Sequence, residues 1–161
     1  MKRKAKLILC MFLPVIFLMS QLNVNAAQDD FIEVPVEDIM IQSSSKGGIN
    51  TYSDDEGSLD ACELGIGINK NGIGIMYTTR SIEIATEIGV KDMVLQEKTL
   101  LGWKDITIKD HYDYDTDIYM GSLVYLKAEV GKTYRVYCTH YAIINGKEYT
   151  LYNITDSIVY N

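Results

Sequence analysis

A regular alternation of apolar and polar residues begins after Leu59, and it constrains the fold of this chain more than any other feature. Apolar side chains at Cys62, Leu64, Ile66 and Ile68 alternate with Glu63, Gly65, Gly67 and Asn69. This period of two places one face of a β-strand on a core. Asn71-Gly72 follows, a pair typical of tight hairpins because both residues tolerate positive φ, and Ile73–Tyr77 resumes the alternation. The pattern predicts two antiparallel strands joined by a short turn.

Five more strands are predicted by the same pattern. They are Ile88–Lys98, Trp103–Lys109, Ile118–Glu129, Thr133–Ile143 and Tyr149–Tyr160, the last two joined by an Asn145-Gly146 turn. The segments are rich in Ile, Val, Thr and Tyr, and neither of the two prolines of the chain falls inside one. The sequence therefore predicts an all-β domain over residues 59–161, a seven-stranded β-sandwich, and argues against helix. Only Ile82–Val94 has some helical character.

Residues 1–26 have the three parts of an export signal. A basic start is followed by an apolar run, Leu7–Met19, that is too short to span a bilayer. Val24 and Ala26 place small side chains before a cleavage site, so Ala27 is the expected mature N-terminus. We therefore expect a signal peptide and a secreted protein with no membrane span in its mature chain. A buried core helix or a retained anchor is the alternative.

Residues 27–58 lack the alternation that follows them. The segment is acidic and rich in serine, and few of its apolar residues recur at any period. Such a stretch buries too little surface to offset its ordering entropy, so we expect a flexible acidic leader. One apolar patch is the exception, and a short docked strand or helix is the alternative for it. The patch consists of Phe31, Val34, Val36, Ile39 and Met40.

Removal of the signal peptide makes the chain strongly acidic. It takes four of the 15 Lys and Arg residues and none of the 22 Asp and Glu residues, which leaves a net charge of −11. Phosphate backbones and anionic lipid are bound through basic patches. The balance therefore argues against binding to nucleic acid and to anionic lipid. We expect no cofactor.

Two cysteines, Cys62 and Cys138, remain after cleavage, and both fall on the inferred apolar face of their strands. An oxidising environment makes a disulfide between the two sheets one expectation, and two buried free thiols are the alternative.

An acidic run precedes the predicted strand that begins at Ile118. Asp113, Asp115 and Asp117 alternate, and such carboxylates are candidate ligands for a hard cation such as calcium. An EF-hand loop would need Gly where Ile118 stands and Glu where Val124 stands. The alternative is a solvated acidic connection between strands.

The chain contains two histidines, His111 and His140, and this limits its catalytic chemistry. Cys138 and His140 share one face of a strand, but two ligands do not complete a zinc site. No serine lies in a Gly-x-Ser-x-Gly elbow, and a serine or cysteine nucleophile would need one of the two histidines as its base. We therefore expect no catalytic residues, a structural role for His140, and a protein that is not an enzyme.

Tyrosine is the dominant aromatic residue, with 12 in the chain. Exposed tyrosines stack on sugars or anchor a protein partner, because a large rigid ring ends in a polar hydroxyl. Tyr112, Tyr114 and Tyr119 lie beside the acidic run and are the candidates for a binding patch. The alternative is that they reflect only the preference of tyrosine for strands.

Two resemblances rest on particular segments. Gly131–Cys138, between Leu126–Val130 and the Asn145-Gly146 turn, is similar to the F strand and F-G hairpin of immunoglobulin-like and fibronectin type III domains. In that comparison Tyr134 matches the tyrosine corner, whose hydroxyl reaches back to the preceding loop, and Trp103 is expected in the core of the sandwich. The chain also resembles a family of small secreted Gram-positive bacterial proteins of unknown function. That resemblance is carried by Ile88–Val90, Leu95–Lys98, Gly102–Lys104, Thr133–Val136, Thr139–Tyr141 and Asn145–Lys147.

The resemblance to the bacterial family implies an immunoglobulin-like sandwich, an extracellular location and no catalytic residues, and the two cysteines depart from the family pattern. We expect a secreted, non-catalytic binding or interaction module whose partner is an unknown extracellular protein or glycan. A small secreted effector, such as a toxin or bacteriocin-like protein, is the alternative, and an extracellular hydrolase is disfavoured. An exposed aromatic patch would favour the module, an ordered amphipathic leader the effector, and a deep pocket at His140 the hydrolase.

Overall fold

The computed structural model describes residues 30–47 and 58–161, and the nine strands within these ranges belong to one antiparallel sheet. They are β1 Phe31–Glu33, β2 Met40–Gly47, β3 Leu59–Asn69, β4 Gly72–Thr99, β5 Gly102–Thr107, β6 His111–Tyr125, β7 Thr133–Ile144, β8 Lys147–Ile154 and β9 Ile158–Val159. A 3-10 turn, Val36–Asp38, lies between β1 and β2. No helix in the described ranges is long and apolar enough to cross a membrane. The signal peptide, its cleavage site at Ala27 and leader residues 48–57 lie outside the described residues.

Strand β4 organises the sheet along its 28 residues. Its first part pairs with β3 and β6, and its last part pairs with β5 and β7. Register shifts after Arg80 and after Lys91 mark β-bulges, which bend the strand. Inward side chains from both parts, such as Ile75 and Leu95, belong to one core cluster. The bends in β4 therefore bring two halves of the sheet onto a shared core.

The all-β class predicted from the alternation is confirmed, whereas the described residues form nine strands rather than seven. The predicted strands Ile73–Tyr77 and Ile88–Lys98 are both parts of β4, and the segment between them is extended as well. The last predicted strand, Tyr149–Tyr160, is divided into β8 and β9. The first difference arises because a bulge interrupts the alternation without ending the strand.

The two predicted hairpin turns are present, one of them shifted. Asn145-Gly146 has φ values of 52° and 77°, as a type I′ turn requires. The first turn lies one residue earlier than predicted, at Lys70-Asn71, because Asn69 pairs with Gly72.

The leader is ordered around its apolar patch, which is the alternative predicted for that patch. β1 pairs with β6 at one edge of the first half of the sheet, and β2 pairs with β3 at the opposite edge. Residues 34–39, here called the strap, cross the outer face between these edges. The expectation of a flexible leader over residues 27–58 therefore does not hold for Phe31–Glu33 and Met40–Gly47, and the folded domain begins before residue 59.

Glycines on the outer face make room for the strap. Gly67 and Gly74 pair across β3 and β4. A Cβ at Gly74 would overlap the side chain of Ile39, and one at Gly67 would overlap the backbone of β2. Ile39 is buried over this surface, and the Asn69 side-chain amide donates to the Asp38 carbonyl at 2.8 Å. At Gly67 and Gly74 no side chain separates the strap from the sheet backbone, so the strap packs closely. A short apolar patch is therefore enough to hold it.

The Tyr134 side chain reaches from the core back to the loop before β7. Its side chain is fully buried, and its hydroxyl accepts a hydrogen bond from the Glu129 N–H at 3.0 Å. The same hydroxyl donates to Glu97 Oε2 at 3.5 Å, and burial raises the pKa of Tyr134 to about 12. Trp103, in contrast, is half-exposed and lies outside the core clusters, so its predicted core position is wrong. Its ring packs against Lys98 and Arg135 instead of against apolar side chains.

Replacing Tyr134 by phenylalanine is expected to lower the free energy of unfolding by about 1–2 kcal/mol, because the Glu129 N–H and the Glu97 carboxylate each lose a partner. Urea denaturation measures the change. Tyr152→Phe is the control, since that side chain is exposed and its hydroxyl should contribute less than about 0.5 kcal/mol. Equal stability of Tyr134→Phe and wild type would contradict a structural role for the hydroxyl.

Candidate functional site

A surface cavity of about 380 Å³ lies where the strap passes strands β4 and β6. Glu33, Val34 and Val36 line it from β1 and the strap, Met76, Tyr77 and Thr78 from β4, and Tyr119, Met120, Gly121 and Ser122 from β6. Its volume is in the range of small-ligand sites. Aromatic and apolar side chains make up most of the wall, and a few hydroxyls and one carboxylate supply its polar groups, which is the usual composition of such sites.

The aromatic wall depends on a glycine. Tyr77 and Gly121 are paired across β4 and β6, and a Cβ at position 121 would come within 2.7 Å of ring carbons of Tyr77. The absence of a side chain at Gly121 therefore allows the Tyr77 ring to lie flat over β6. Tyr119 extends this surface, because its ring stacks on Tyr77 with centroids 6.0 Å apart and an interplanar angle of 24°.

The aromatic groups at this wall are neutral near pH 7. Burial, together with interaction with Tyr119, raises the pKa of Tyr77, and burial raises the pKa of Tyr119. The ring of His111 lies 5.7 Å from that of Tyr77, and burial lowers the pKa of this imidazole. Glu33 is the only acidic side chain among the lining residues. The cavity lining thus includes hydroxyl groups, the half-buried Tyr119 and a single carboxylate, whereas Tyr77 is buried and belongs to the core.

The strap is fixed at the cavity by backbone and side-chain bonds. Ser122 Oγ donates to the Val34 carbonyl at 2.5 Å, and the Val34 N–H donates to the Ser122 carbonyl at 3.4 Å. Glu33 lies opposite Leu123 in the β1–β6 ladder. The wall that the leader contributes is therefore held by the same ladder that attaches β1 to the sheet.

The structure separates the three tyrosines predicted as a binding patch. Tyr112 and Tyr114 are 47% and 57% exposed, and their rings meet edge to face at 5.5 Å. Tyr119 is half-buried and lines the cavity instead. The exposed pair is therefore an aromatic surface separate from the cavity.

The acidic run lies within a strand rather than in a connection. Asp113, Asp115 and Asp117 are exposed residues of β6. Asp115 has a φ of 53°, so the run is interrupted by a residue in the left-handed region and is not a regular extended strand. Over the described ranges, no group of three or more His, Cys, Asp or Glu residues is arranged to hold a metal ion. The structure therefore does not assemble the predicted calcium site.

The two cysteines are buried free thiols, which is the alternative to the disulfide. Burial raises the pKa of both Cys62 and Cys138 to about 12, so both thiols stay protonated. Cys138 Sγ lies 3.5 Å from Nε2 of His140. Both thiols are therefore poor nucleophiles in the folded protein.

His140 belongs to a closed chain of hydrogen bonds in the core. The Thr79 hydroxyl donates to the Gly89 carbonyl at 3.0 Å, so its oxygen accepts from Nδ1–H of His140 at 2.7 Å. Nε2 is then free to accept from the Cys138 thiol. Thr79, Cys138 and His140 are all 0% exposed, and none of them lines the cavity. This network satisfies buried polar groups and has no access for a substrate.

Comparison of the chain with known proteins identifies no relative. No family model, no curated protein and no solved structure matches the chain. The candidate site therefore rests on the geometry of the cavity itself.

Most residues of the cavity were not identified from the sequence. Tyr119 was among the predicted binding residues, whereas Glu33, Tyr77 and Gly121 were not. The local signal for the aromatic wall is weak, because a glycine opposite a tyrosine is recognisable only once the register of β4 and β6 is known. The contribution of Glu33 depends on the pairing of β1 with β6, which has no local signal.

Proposed function

We propose that this protein is a secreted, non-catalytic binding module and that its ligand enters the cavity between the strap and strands β4 and β6. The observation that carries the proposal is the cavity of about 380 Å³ between the strap and these strands, whose lining includes Met76 and Met120 together with Glu33. Secretion is supported by the features of residues 1–26. An immunoglobulin-like relationship to the secreted Gram-positive family is part of the proposal, supported by the corner geometry of Tyr134.

The chemistry of the cavity favours an ammonium group on a short apolar stem. Aromatic faces attract cations, a carboxylate pairs with them, and methionine side chains adapt to an apolar stem. Glu33 supplies the carboxylate, Met76 and Met120 supply the apolar surface, and the half-buried Tyr119 is the aromatic residue of the lining that remains partly accessible. A lysine side chain of an extracellular protein and an amino sugar of a glycan both carry such a group. The partner is therefore expected to present an exposed amine.

Two alternatives receive less support. A hydrolase would need a nucleophile and a base that a substrate can reach, and His140 is fully buried. An effector would use an ordered amphipathic leader, but the described part of the leader is paired at the sheet edges and places Ile39 in a buried position. The binding module remains the function that the geometry supports best.

Phenethylamine is expected to bind the cavity with a dissociation constant of about 1 mM, the order expected for a fragment of this size. 2-Phenylethanol, which has the same number of non-hydrogen atoms and no charge, should bind about fivefold more weakly. Amide chemical-shift changes in NMR titrations measure both affinities, and the largest changes are expected at Tyr119 and Gly121. Changes distributed away from β6 and the strap would contradict the site.

The Glu33→Gln variant tests the contribution of the carboxylate to binding without changing the shape of the cavity. The variant should lose most of the preference for phenethylamine over 2-phenylethanol, because the carboxylate charge is removed while the shape and the aromatic lining of the cavity are kept. Glu37→Gln is the matched control, since Glu37 lies in the same leader segment but does not line the cavity. An equal loss in both variants would show that the amine responds to overall charge rather than to this site.

A further inference from the structure

The turn between β4 and β5 exposes two adjacent leucines. Leu100 and Leu101 have relative exposures of 105% and 101%, so neither packs against the protein. The turn has a defined shape, because Thr99 Oγ1 donates to the Gly102 carbonyl at 3.1 Å and accepts from the Leu101 N–H at 3.3 Å. Single exposed leucines are common on protein surfaces, whereas two adjacent leucines that protrude from an ordered turn form a local apolar surface.

Basic and aromatic groups surround this turn. We call residues 98–104 the β4–β5 tip; the segment carries Lys98 and Lys104 and contains no acidic residue. The Lys98 ammonium lies 4.9 Å from the centroid of the Trp103 ring, and the Arg135 guanidinium lies 4.1 Å from it. An apolar apex above a half-exposed tryptophan and flanking cations matches the layering of a membrane interface, where indoles and basic side chains lie at the headgroup level.

Three carboxylates lie near the tip, and one of them is paired with a cation. Glu97 is buried and lies 3.4 Å from the Lys132 ammonium. Asp105 accepts a hydrogen bond from the Gln96 amide at 2.7 Å. Glu129 is exposed in the loop before β7, which starts beside this end of β4. Four cations, Lys98, Lys104, Lys132 and Arg135, thus stand against these three carboxylates, so the tip keeps a small cationic excess in an acidic chain. Charges farther away than about 8 Å are largely screened at physiological ionic strength.

We propose that the β4–β5 tip docks the protein onto an anionic phospholipid surface. Leu100 and Leu101 enter the acyl boundary, Trp103 lies at the headgroup level, and Lys98 and Lys104 contact lipid phosphates. The charge complementarity between the cationic flanks and anionic headgroups selects this occupant over a neutral protein surface. This surface is distinct from the cavity, because none of the lining residues belongs to the tip.

Vesicle sedimentation with the full secreted protein tests the proposal. Binding is expected to vesicles of equal parts phosphatidylcholine and phosphatidylglycerol, and at least about tenfold weaker binding to phosphatidylcholine alone. The chain contains one tryptophan, Trp103, so its fluorescence reports on the tip and should shift to the blue on binding. No binding to the anionic vesicles, or equal binding to both compositions, would overturn the proposal.

Variants distinguish insertion of the two leucines into the membrane from electrostatic binding of the lysines to the membrane surface. Leu100→Ser with Leu101→Ser should weaken binding at least about tenfold, because two apolar side chains are lost from the membrane. Lys98→Gln and Lys104→Gln should each weaken it about fivefold. Ile82→Ser with Ile84→Ser is the matched control, since these exposed side chains lie in the bend of β4, and it should bind like wild type. A loss in the control equal to that in the leucine variant would overturn the assignment to the tip, as would full binding by the leucine variant.

Discussion

Replacing Gly74 by valine is expected to lower the free energy of unfolding by about 3 kcal/mol, although valine is a much better strand residue than glycine. The added Cβ would overlap the Ile39 side chain, and its distance to Ile39 Cγ1 would be 2.8 Å. Because Gly74 lies in a central strand, the backbone beneath it cannot move away. The strap must therefore lift, which exposes Ile39. Urea denaturation gives the magnitude, and faster proteolysis of the strap should accompany it.

Whether Gly74→Val stabilises or destabilises the protein shows whether the strap covers this position. In a sheet with an open outer face, Gly74→Val would stabilise the strand by up to about 1 kcal/mol. Ile39→Ala alone should cost about 2–3 kcal/mol, because a buried side chain is truncated. In the double variant the overlap is relieved, so the double change should be about 2 kcal/mol less destabilising than the sum of the single changes. Additive effects would show that the strap does not press on Gly74.

The position of the strap could not be predicted from local sequence patterns. The apolar patch of the leader is too sparse for its burial to be inferred, since an ordering entropy of about 1–2 kcal/mol per residue opposes it. What makes the burial possible is the smooth outer surface at Gly67 and Gly74. The alternation shows these glycines on the face away from the core, but only the pairing of β1 and β2 at opposite edges brings the strap across them.

Features with a strong local cause were predictable from the sequence. The β class follows from the period of two, and the Asn145-Gly146 turn follows from the two residues that accept positive φ. The contact of Tyr134 with the preceding loop spans five residues to Glu129 and was recognised from one short segment. In contrast, the continuity of β4 across its bulges depends on pairing with several strands and could not be inferred from a window of residues.

The separation of the three tyrosines follows from their spacing along one strand. Tyr112 and Tyr119 are seven positions apart in one strand, and an odd separation places side chains on opposite faces. The exposed pair Tyr112 and Tyr114 shares a face, whereas Tyr119 belongs to the side that meets Tyr77. Because residues 112–119 all belong to β6, this parity separates Tyr119 from the exposed pair.

The buried network has a measurable consequence for stability. Burial lowers the pKa of His140 from 6.5 to about 4 in the folded protein. The unfolded chain therefore binds a proton first as the pH falls, so the stability is complete above about pH 6.5 and decreases down to about pH 4. The full loss is about 3 kcal/mol at 1.36 kcal/mol per unit of pKa, and about 2 kcal/mol of it should be lost by pH 5.

His140→Asn isolates this contribution, because the asparagine amide can still donate to Thr79 but does not titrate. The variant should be less stable than wild type near pH 7, since the Cys138 thiol loses its acceptor, yet its stability should change much less between about pH 7 and pH 5. Free energies of unfolding from urea melts across this range provide the comparison.

His111→Asn is the necessary control for this experiment, because burial lowers the pKa of His111 as well and gives a slope of the same sign. Since the chain has two histidines, the two variants together account for the histidine contribution to the pH dependence. His140 is fully buried and hydrogen-bonded through both ring nitrogens, so removal of its titration should flatten the profile more. If the wild-type slope persists in His140→Asn and disappears in His111→Asn, the sensitivity of the fold to acid resides at the edge of the Tyr77 wall rather than in the core.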